Sequence, residues 1–294
     1  MVFDESRGYT TPISILGQDD FEVILNLALD EDAPKGDVTS ESIFPLNHKS
    51  KAILKARESG VLCGIGVIAA LSRKFPNQIR FHIHLEDGAE LKPGTIIADL
   101  EGNTQILFRI ERILLNLLQY LSGIASATSL LVHRYPNLKI LDTRKTLPAY
   151  RKLAKYAVHT GGAWNHRIHL SDMAMIKDNH IEAIGSITKA VQSIRQAHPA
   201  LKIEIEIDRL DQLQEAIANS PDVILLDNFT LEDTAKAVSL IRSSSDPKSI
   251  LIEASGNITP DKLNALSEIG GIGVSMGYLT HTTRFLDIGL DMVY

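Results

Sequence analysis

Five basic side chains stand at three places in the sequence: Arg144 and Lys145 in LDTRK, His166 and Arg167 in WNHR, and Lys177 in MIKDNH. Arginine presents a planar fork matched to carboxylate, and lysine a point charge suited to phosphate. The set therefore suits a ligand with several anionic groups. Farther on, Glu206 in IEIEID and Asp227 in ILLDN offer oxygen donors for sugar hydroxyls or Mg²⁺. Two turns close the series, Ser255-Gly256-Asn257 and Met276-Gly277-Tyr278, whose backbone N–H groups could cradle a phosphate. One Arg or Lys after a strand is more often a solvated charge; the recurrence of cations in successive runs points to a site.

Each group ends or follows an apolar run of β type. The runs are LKILDTRK, MAMIKDNH, LKIEIEID, DVILLDN, SILIEASG and GIGVSMG, ending near residues 142, 177, 206, 227, 254 and 276. Gaps of roughly 20–35 residues hold helical stretches such as IGSITKAVQSIRQAH and TLEDTAKAVSLIRSS, the repeat of a βα unit whose strands are buried on both faces. Six such runs, with a seventh strand expected around Tyr156–His159, predict an α/β barrel. No GxGxxG follows the first strand and no P-loop occurs, which argues against a nucleotide-binding open sheet. The C-terminal strand ends of a barrel form its active-site face, where the cations fall. In IEIEID, Glu204, Glu206 and Asp208 share one face, opposite Ile203, Ile205 and Ile207. Buried carboxylates need partners, and Lys145 or Lys177 would supply them. Trp164, the only tryptophan, either lines the pocket or packs beneath it.

The N-terminal part reads differently. Residues 21–30 predict a helix, EDAPKGDVTS an acidic, turn-rich loop, and residues 51–110 short β runs. In RFHIHLE, Phe81, Ile83 and Leu85 alternate with Arg80, His82 and His84; the histidines lack a third metal ligand at suitable spacing and read as solvent-facing. Residues 105–133 predict a helix pair or a kinked helix, interrupted at Ser122-Gly123. The 294 residues suffice for one large domain or two, and a net charge of −6 offers no basic face for nucleic acid. Cys63, the lone cysteine, reads as a buried small hydrophobe in a reducing, cytoplasmic compartment. The first residues show no leader pattern, and no apolar run approaches the roughly 20 residues of a membrane span.

The chain resembles the quinolinate phosphoribosyltransferase family. The resemblance lies in EDAPKGDVTS, ARESGVLCG, ERILLNLLQYLSGIASAT, LDTRKTLPAYRKLAKYAVHTGGAWNHRIHLSDMAMIKDNHI, IEIEID, ILLDN, EASGNI and LTHTTRFLDIGLD, in family order. It implies an α/β fold of two domains. One is an N-terminal α/β sandwich domain, residues 1–116, joined by a returning tail, 284–294. The other is an incomplete seven-stranded α/β barrel, residues 117–283. It implies transfer of phosphoribosyl from phosphoribosyl pyrophosphate to quinolinate with decarboxylation, giving nicotinate mononucleotide, pyrophosphate and CO₂, with Mg²⁺, in de novo NAD biosynthesis. It also implies a homodimer with a shared active site, or a higher homo-oligomer.

Carried over by motif, Arg112 of one subunit would reach into the other's site and bind a quinolinate carboxylate. Arg144, His166 and Arg167 would complete that pocket, with Thr143 among the substrate contacts. Lys145 and Lys177 would contact phosphoribosyl pyrophosphate and the bound acid. Glu206 and Asp227 would hold the ribose hydroxyls and the Mg²⁺-bound diphosphate, ligating the ion directly or through water or substrate. Lys145, Lys177, Glu206 and Asp227 make the catalytic set. Ser255, Gly256, Asn257, Met276, Gly277, Tyr278 and His281 would take the 5′-phosphate. The chain departs from the family pattern at several places. Ala149-Tyr150 stands for Gly-Leu, Ala163 and His169 each stand for Gly, Asn257 stands for a second Gly, and Met276 and Tyr278 flank a turn that is typically small. Three alternatives stand beside this reading: a Schiff-base barrel aldolase using Lys145 or Lys177, a family relative acting on another pyridine or aromatic acid, and a non-catalytic module for anionic metabolites.

Overall fold

The computed structural model describes residues 11–17, 19–244 and 250–293; residues 1–10, to which the leader reading applies, and Ser249 of the SILIEASG run lie outside them. The chain forms two compact units. One holds Leu131–Lys145 and Ala163–Gly277, and the other holds Ile13–Leu130, Thr146–Gly162 and the segment from Tyr278 onward.

In the first unit six strands pair in parallel, in the order Lys139–Leu141, Gly273–Ser275, Leu251–Ser255, Val223–Asp227, Ile203–Ile207, Ala174–Ile176. They are the six apolar runs of the sequence. A seventh parallel position is a single bridge between Leu141 and Trp164. Around the sheet, spatial neighbours are neighbours in sequence and the first strand lies beside the last, as in a barrel. Among the described residues the pairing is open between Trp164 and Ala174–Ile176. Register sets the rows on one face: Glu204 lies level with Val223 and Leu251, Glu206 with Leu225 and Glu253, and Asp227 with Ser255. Between the strands run amphipathic helices. Ile187–Ala197, Leu231–Arg242 and Pro260–Ile269 each begin at a hydroxyl cap: Ser186 accepts from Lys189 N, Thr230 from Asp233 N and Thr259 from Lys262 N. Each cap satisfies an orphan donor of the first turn. Leu231–Arg242 buries Thr234, Ala237, Val238 and Ile241, a stripe at helical spacing.

The seventh strand expected around Tyr156–His159 is not a strand. Arg151–Thr160 is an α-helix of the second unit, burying Leu153, Ala154, Ala157 and Val158. That spacing is the 3.6-residue period, which short windows confuse with a buried strand.

The second unit holds a four-stranded antiparallel sheet in the order Ile288–Val293, Lys49–Ala56, Ile96–Asn103, Ile79–Ile83. Ala52, Leu54 and Ala56 are buried, as are Phe21, Leu25 and Leu29 of the helix Asp19–Asp32 and Val67, Ile68 and Leu71 of the helix Gly66–Lys74. The latter helix was hidden in the run Val61–Leu71, where continuous apolarity carries no period. The RFHIHLE alternation holds only in part. Arg80, His82 and His84 face solvent as read, but Ile83 on this edge strand is 42% exposed. EDAPKGDVTS is a loop only in its middle, because the Asp37 carboxylate accepts from Thr39 N and Ser40 N and starts the helix Val38–Ile43.

The helix Thr104–Arg134 is unbroken across Ser122-Gly123. These residues do not interrupt it; they let other segments approach. Ser122 Oγ accepts from Cys63 N at 2.9 Å and donates to Cys63 O at 3.2 Å, and Ser126 Oγ accepts from Val61 N at 2.8 Å. A Cβ at Gly123 would sit 2.0 Å from the Arg284 carbonyl oxygen. By length and composition this helix could cross a membrane, contrary to the absence of such a run read from the sequence. It buries Leu107, Ile110, Leu114, Leu118, Leu121 and Ile124 inside the protein and is a core helix. Cys63 is wholly buried, as read, and burial pushes its thiol well above the usual range.

Candidate active site

The site residues of the barrel unit sit where its strands end. After Lys139–Leu141 the chain turns through Asp142, Thr143, Arg144 and Lys145; Thr143 Oγ1 accepts from Lys145 N at 3.0 Å and tightens the turn. Arg144 is half-buried, and its Nε is buried with no hydrogen-bond partner among the described residues. Arg167 is buried and donates from Nη1 to the Met173 carbonyl at 3.0 Å. Burial first, and then the nearby Arg144, lower the pKa of its guanidinium from the usual value. Arginine keeps its proton, so the direction of that shift marks a buried cation with a second cation nearby, which a bound anion would relieve.

His166, beside Arg167, is 5% exposed. Its backbone N–H donates to Asp142 Oδ1 at 2.8 Å, and its Nε2 lies 3.0 Å from Glu204 Oε2 and 3.7 Å from Glu253 Oε1. Asn165 Nδ2 donates to Asp142 Oδ2 at 2.8 Å. Burial first, and then the charge of Glu253, push the Glu204 carboxyl up from its usual value. One row above, Lys177 Nζ pairs with Glu206 Oε2 at 2.6 Å. The three carboxylates of IEIEID thus grade along the strand from buried Glu204 through half-buried Glu206 to exposed Asp208. Lys177 is the partner expected for Glu206, and a histidine is the partner of Glu204.

Of the two turns expected to take phosphate, Ser255–Asn257 is built on left-handed backbone. Asn228, at φ +57°, donates from its backbone N to Ser255 O at 3.0 Å and from Nδ2 to Asp227 Oδ2 at 2.8 Å, and its Oδ1 accepts from Asn257 Nδ2 at 3.1 Å. One asparagine thereby fastens the ends of Val223–Asp227 and Leu251–Ser255. Gly256 has φ +78°, and a Cβ there would stand 2.2 Å from Asn228 Oδ1, so no side chain fits. Lys262 Nζ donates to Gly256 O at 3.0 Å, and burial lowers its ammonium's pKa from the usual value. Met276 is buried, with its N–H on Leu141 O at 3.1 Å.

The geometry brings Arg144, His166, Arg167, Lys177 and Glu206 into one electrostatic neighbourhood, with Asp227, Ser255, Gly256 and Asn257 joined through Asn228. Lys145 is exposed. Arg112, Tyr278 and His281 belong to the other unit, where all three are exposed; Arg112 lies on the helix Thr104–Arg134 and the other two on Tyr278–His281. Trp164 packs against the buried Leu141, Met173 and Val223, with Lys139 Nζ 4.9 Å from its ring centroid. His82 and His84 hold ring centroids 4.7 Å apart, and His84 Nε2 contacts Asp99 at 2.8 Å.

Sequence reasoning missed Glu253 and Lys262, and placed Asn228 at a strand end without giving it a role. Glu253 had a visible signal, a carboxylate inside the apolar run SILIEASG, which must find a partner once buried. Asn228 acts through its side-chain amide as well as its backbone, and Lys262 through a backbone carbonyl, contacts that composition does not reveal.

The N-terminal domain of the family described as quinolinate phosphoribosyl transferase matches residues 37–122, and its C-terminal domain matches residues 124–291. A nicotinate-nucleotide pyrophosphorylase (carboxylating) of Mycobacterium leprae is 39% identical over 270 residues, 90% of this chain and 94% of that protein. A mitochondrial quinolinate phosphoribosyltransferase (decarboxylating) of Nicotiana tabacum is 33% identical over 293 residues, covering 93% of this chain and 82% of its own. The solved structure of a nicotinate-nucleotide pyrophosphorylase from Francisella tularensis superposes with a TM-score of 0.90 at 33% identity, covering 97% of this chain and all of that one. With both domain matches in sequence order on the two-sheet fold described above, the chain belongs to the quinolinate phosphoribosyltransferase family.

Proposed function

We propose that this chain is a pentosyltransferase of de novo NAD biosynthesis, a nicotinate-nucleotide pyrophosphorylase (carboxylating). It joins quinolinate to the ribosyl group of phosphoribosyl pyrophosphate and releases nicotinate mononucleotide, pyrophosphate and CO₂. The observation that carries this is the buried Arg167, within electrostatic reach of Arg144, together with a buried Arg144 Nε that no described residue pairs. A pyridine with two adjacent carboxylates supplies both the charge and the acceptors.

Lys145 and Lys177 contact the phosphorylated substrate and the acid. Pyrophosphate departure builds positive charge on the ribose, and the carboxylates of Glu206 and Asp227 stabilise it. The pyridine nitrogen attacks the ribose carbon as the C–O bond to pyrophosphate breaks. The pyridinium then accepts the electron pair left when the neighbouring carboxylate departs as CO₂, and a proton replaces it. Glu206 and Asp227 also offer oxygen donors of the kind Mg²⁺ takes, directly or through water or the diphosphate; bound there, the ion would neutralise charge on the departing pyrophosphate. Ser255, Gly256, Asn257, Met276, Gly277, Tyr278 and His281 take the 5′-phosphate, and Thr143 joins the substrate contacts. Much of the rate then comes from orientation, since no side chain need act as a nucleophile.

Arg112, exposed on its helix, completes the acid pocket of a neighbouring subunit in a homodimer or larger homo-oligomer. Sedimentation showing only monomer at working concentration would remove that role. The protein works in the cytoplasm, where its single buried thiol needs no oxidising environment.

The test is Mg²⁺-dependent formation of nicotinate mononucleotide from quinolinate, run beside nicotinate; turnover of nicotinate alone would overturn the substrate assignment. Arg144→Ala and Arg167→Ala are each expected to lower quinolinate affinity by about ten- to a hundredfold, since each removes a charge-assisted contact of ~1.5–3 kcal/mol. Calorimetry showing unchanged affinity in both variants would sink the pocket.

A further inference from the structure

Asn165, His166 and Arg167 have no strand or helix of their own, yet all three are buried. They cross the opening that the strand pairing leaves between Trp164 and Ala174–Ile176. Three carboxylates lie beneath them: Asp142 at the end of one strand, Glu204 in a second and Glu253 in a third, each at most 1% exposed. Burying carboxylates is costly even when they are paired, and a whole buried pair replaced by apolar residues of similar volume often loses no stability. A stability role alone does not account for them.

Their contacts suggest what does. Asp142 accepts the backbone N–H of His166 and the side-chain amide of Asn165, both at 2.8 Å. Glu204 Oε2 lies 3.0 Å from Nε2 of the same histidine, and Glu253 Oε1 lies 3.7 Å from it. His166 is thus gripped at its main chain by one carboxylate and at its ring by another. Arg167 follows directly, anchored by Nη1 to Met173 O.

We infer that Asp142 and Glu204 are positioning residues for recognition of the acid substrate: they fix the main chain and the ring direction of His166 and, through the chain, the placement of Arg167. Glu204 does so by keeping a proton on Nε2, which sets how the rest of the ring meets the ligand. This inference rests on the reading of His166 and Arg167 as part of the acid pocket.

The test compares Glu204→Leu with Glu204→Gln in the full chain. Leucine removes the acceptor at similar volume, while glutamine keeps an acceptor oxygen. For Glu204→Leu the KM for quinolinate is expected to rise at least about tenfold, the size of one lost charge-assisted contact. The KM for phosphoribosyl pyrophosphate stays within about twofold, the melting temperature falls because the buried His166 Nε2 loses its partner, and Glu204→Gln restores most of the affinity. In a His166→Ala background, Glu204→Leu adds nothing further, because the residue acts through the histidine. Parallel rises in both KM values, multiplying effects in the double variant, or a glutamine variant as impaired as the leucine one would overturn the proposal. If Glu204→Leu does not fold, Asp142→Asn serves in its place, since its amide can accept from only one of the two donors that Asp142 now holds. A second readout needs no turnover. In ¹⁵N-histidine spectra, the Nε2 proton of His166, identified by its loss in His166→Ala, exchanges slowly in the wild type and rapidly in Glu204→Leu. If the wild type makes no nicotinate mononucleotide, the proposed reaction fails, and positioning stands or falls on that proton.

Discussion

At Ala149 the backbone has φ +62°, and at Asn257 it has φ +45°. Both lie in the left-handed region, and both are positions where the resemblance leads one to expect glycine. The departures noted in the sequence are therefore sites of backbone strain, and the asparagine is the better tolerated because its side chain bonds locally, here to Asn228. Left-handed backbone costs an alanine ~1–2 kcal/mol, and glycine gives back ~0.4–1 kcal/mol through the freer unfolded chain. Ala149→Gly should thus stabilise by roughly 0.5–1 kcal/mol and raise the melting temperature by about 2–3 °C. A lower melting temperature in calorimetry would contradict the strain argument. Most single residues of the site were legible because they end apolar runs and carry charge. Glu253 was not, since a carboxylate whose partners come from distant strands looks in sequence like an interruption.

The elements show where periodicity informs and where it misleads. All six barrel strands stood out as apolar runs bounded by polar residues. The seventh was misplaced at Tyr156–His159, because a helix with adjacent buried pairs, Ala157 and Val158 among them, resembles a short buried strand. Its true position, Trp164, is one bridge long and leaves no pattern to read. The expected break at Ser122-Gly123 failed for another reason: small residues in a helix can mark close approach as well as a bend. Gly123→Ala tests this. Alanine is the better helix former by ~1 kcal/mol, but its Cβ would stand 2.0 Å from Arg284 O, and overpacking against backbone costs ~1–3 kcal/mol or more. The variant is expected to melt several degrees lower; a melting temperature at or above wild type would show that the helix has room to move.

For the molecule as a whole, acid stability depends on how the C-terminal segment is tied down. Glu58 pairs with Arg284 and accepts from Asp287 N at 2.7 Å, and the Arg284 hydrogen bond holds its carboxyl below the usual range. Asp291 is lowered too, chiefly by Lys55 and then by Arg57. A carboxyl held lower in the folded state contributes stability above its unfolded value, and that contribution is lost as pH falls through the lower folded value. Asp87 has the opposite sign: burial raises it, so its contribution shrinks as pH rises from about 3.8 toward the raised value. Glu58→Gln with Asp291→Asn should therefore flatten the loss of melting temperature between about pH 5 and 3 relative to wild type. Parallel melting curves for the two proteins across that window would show that these groups do not govern it.

That same segment orders events in time. Lys49–Ala56, near the start of the chain, has Ile288–Val293 as its outer neighbour in the sheet. During synthesis its outer edge therefore stays unpaired until Ile288–Val293 has been made, although sheets of early segments ordinarily close soon after they emerge. An open edge invites pairing with other chains. Only when Ile288–Val293 has joined Lys49–Ala56 is the early sheet whole, so this part of the fold is completed by a segment made long after it.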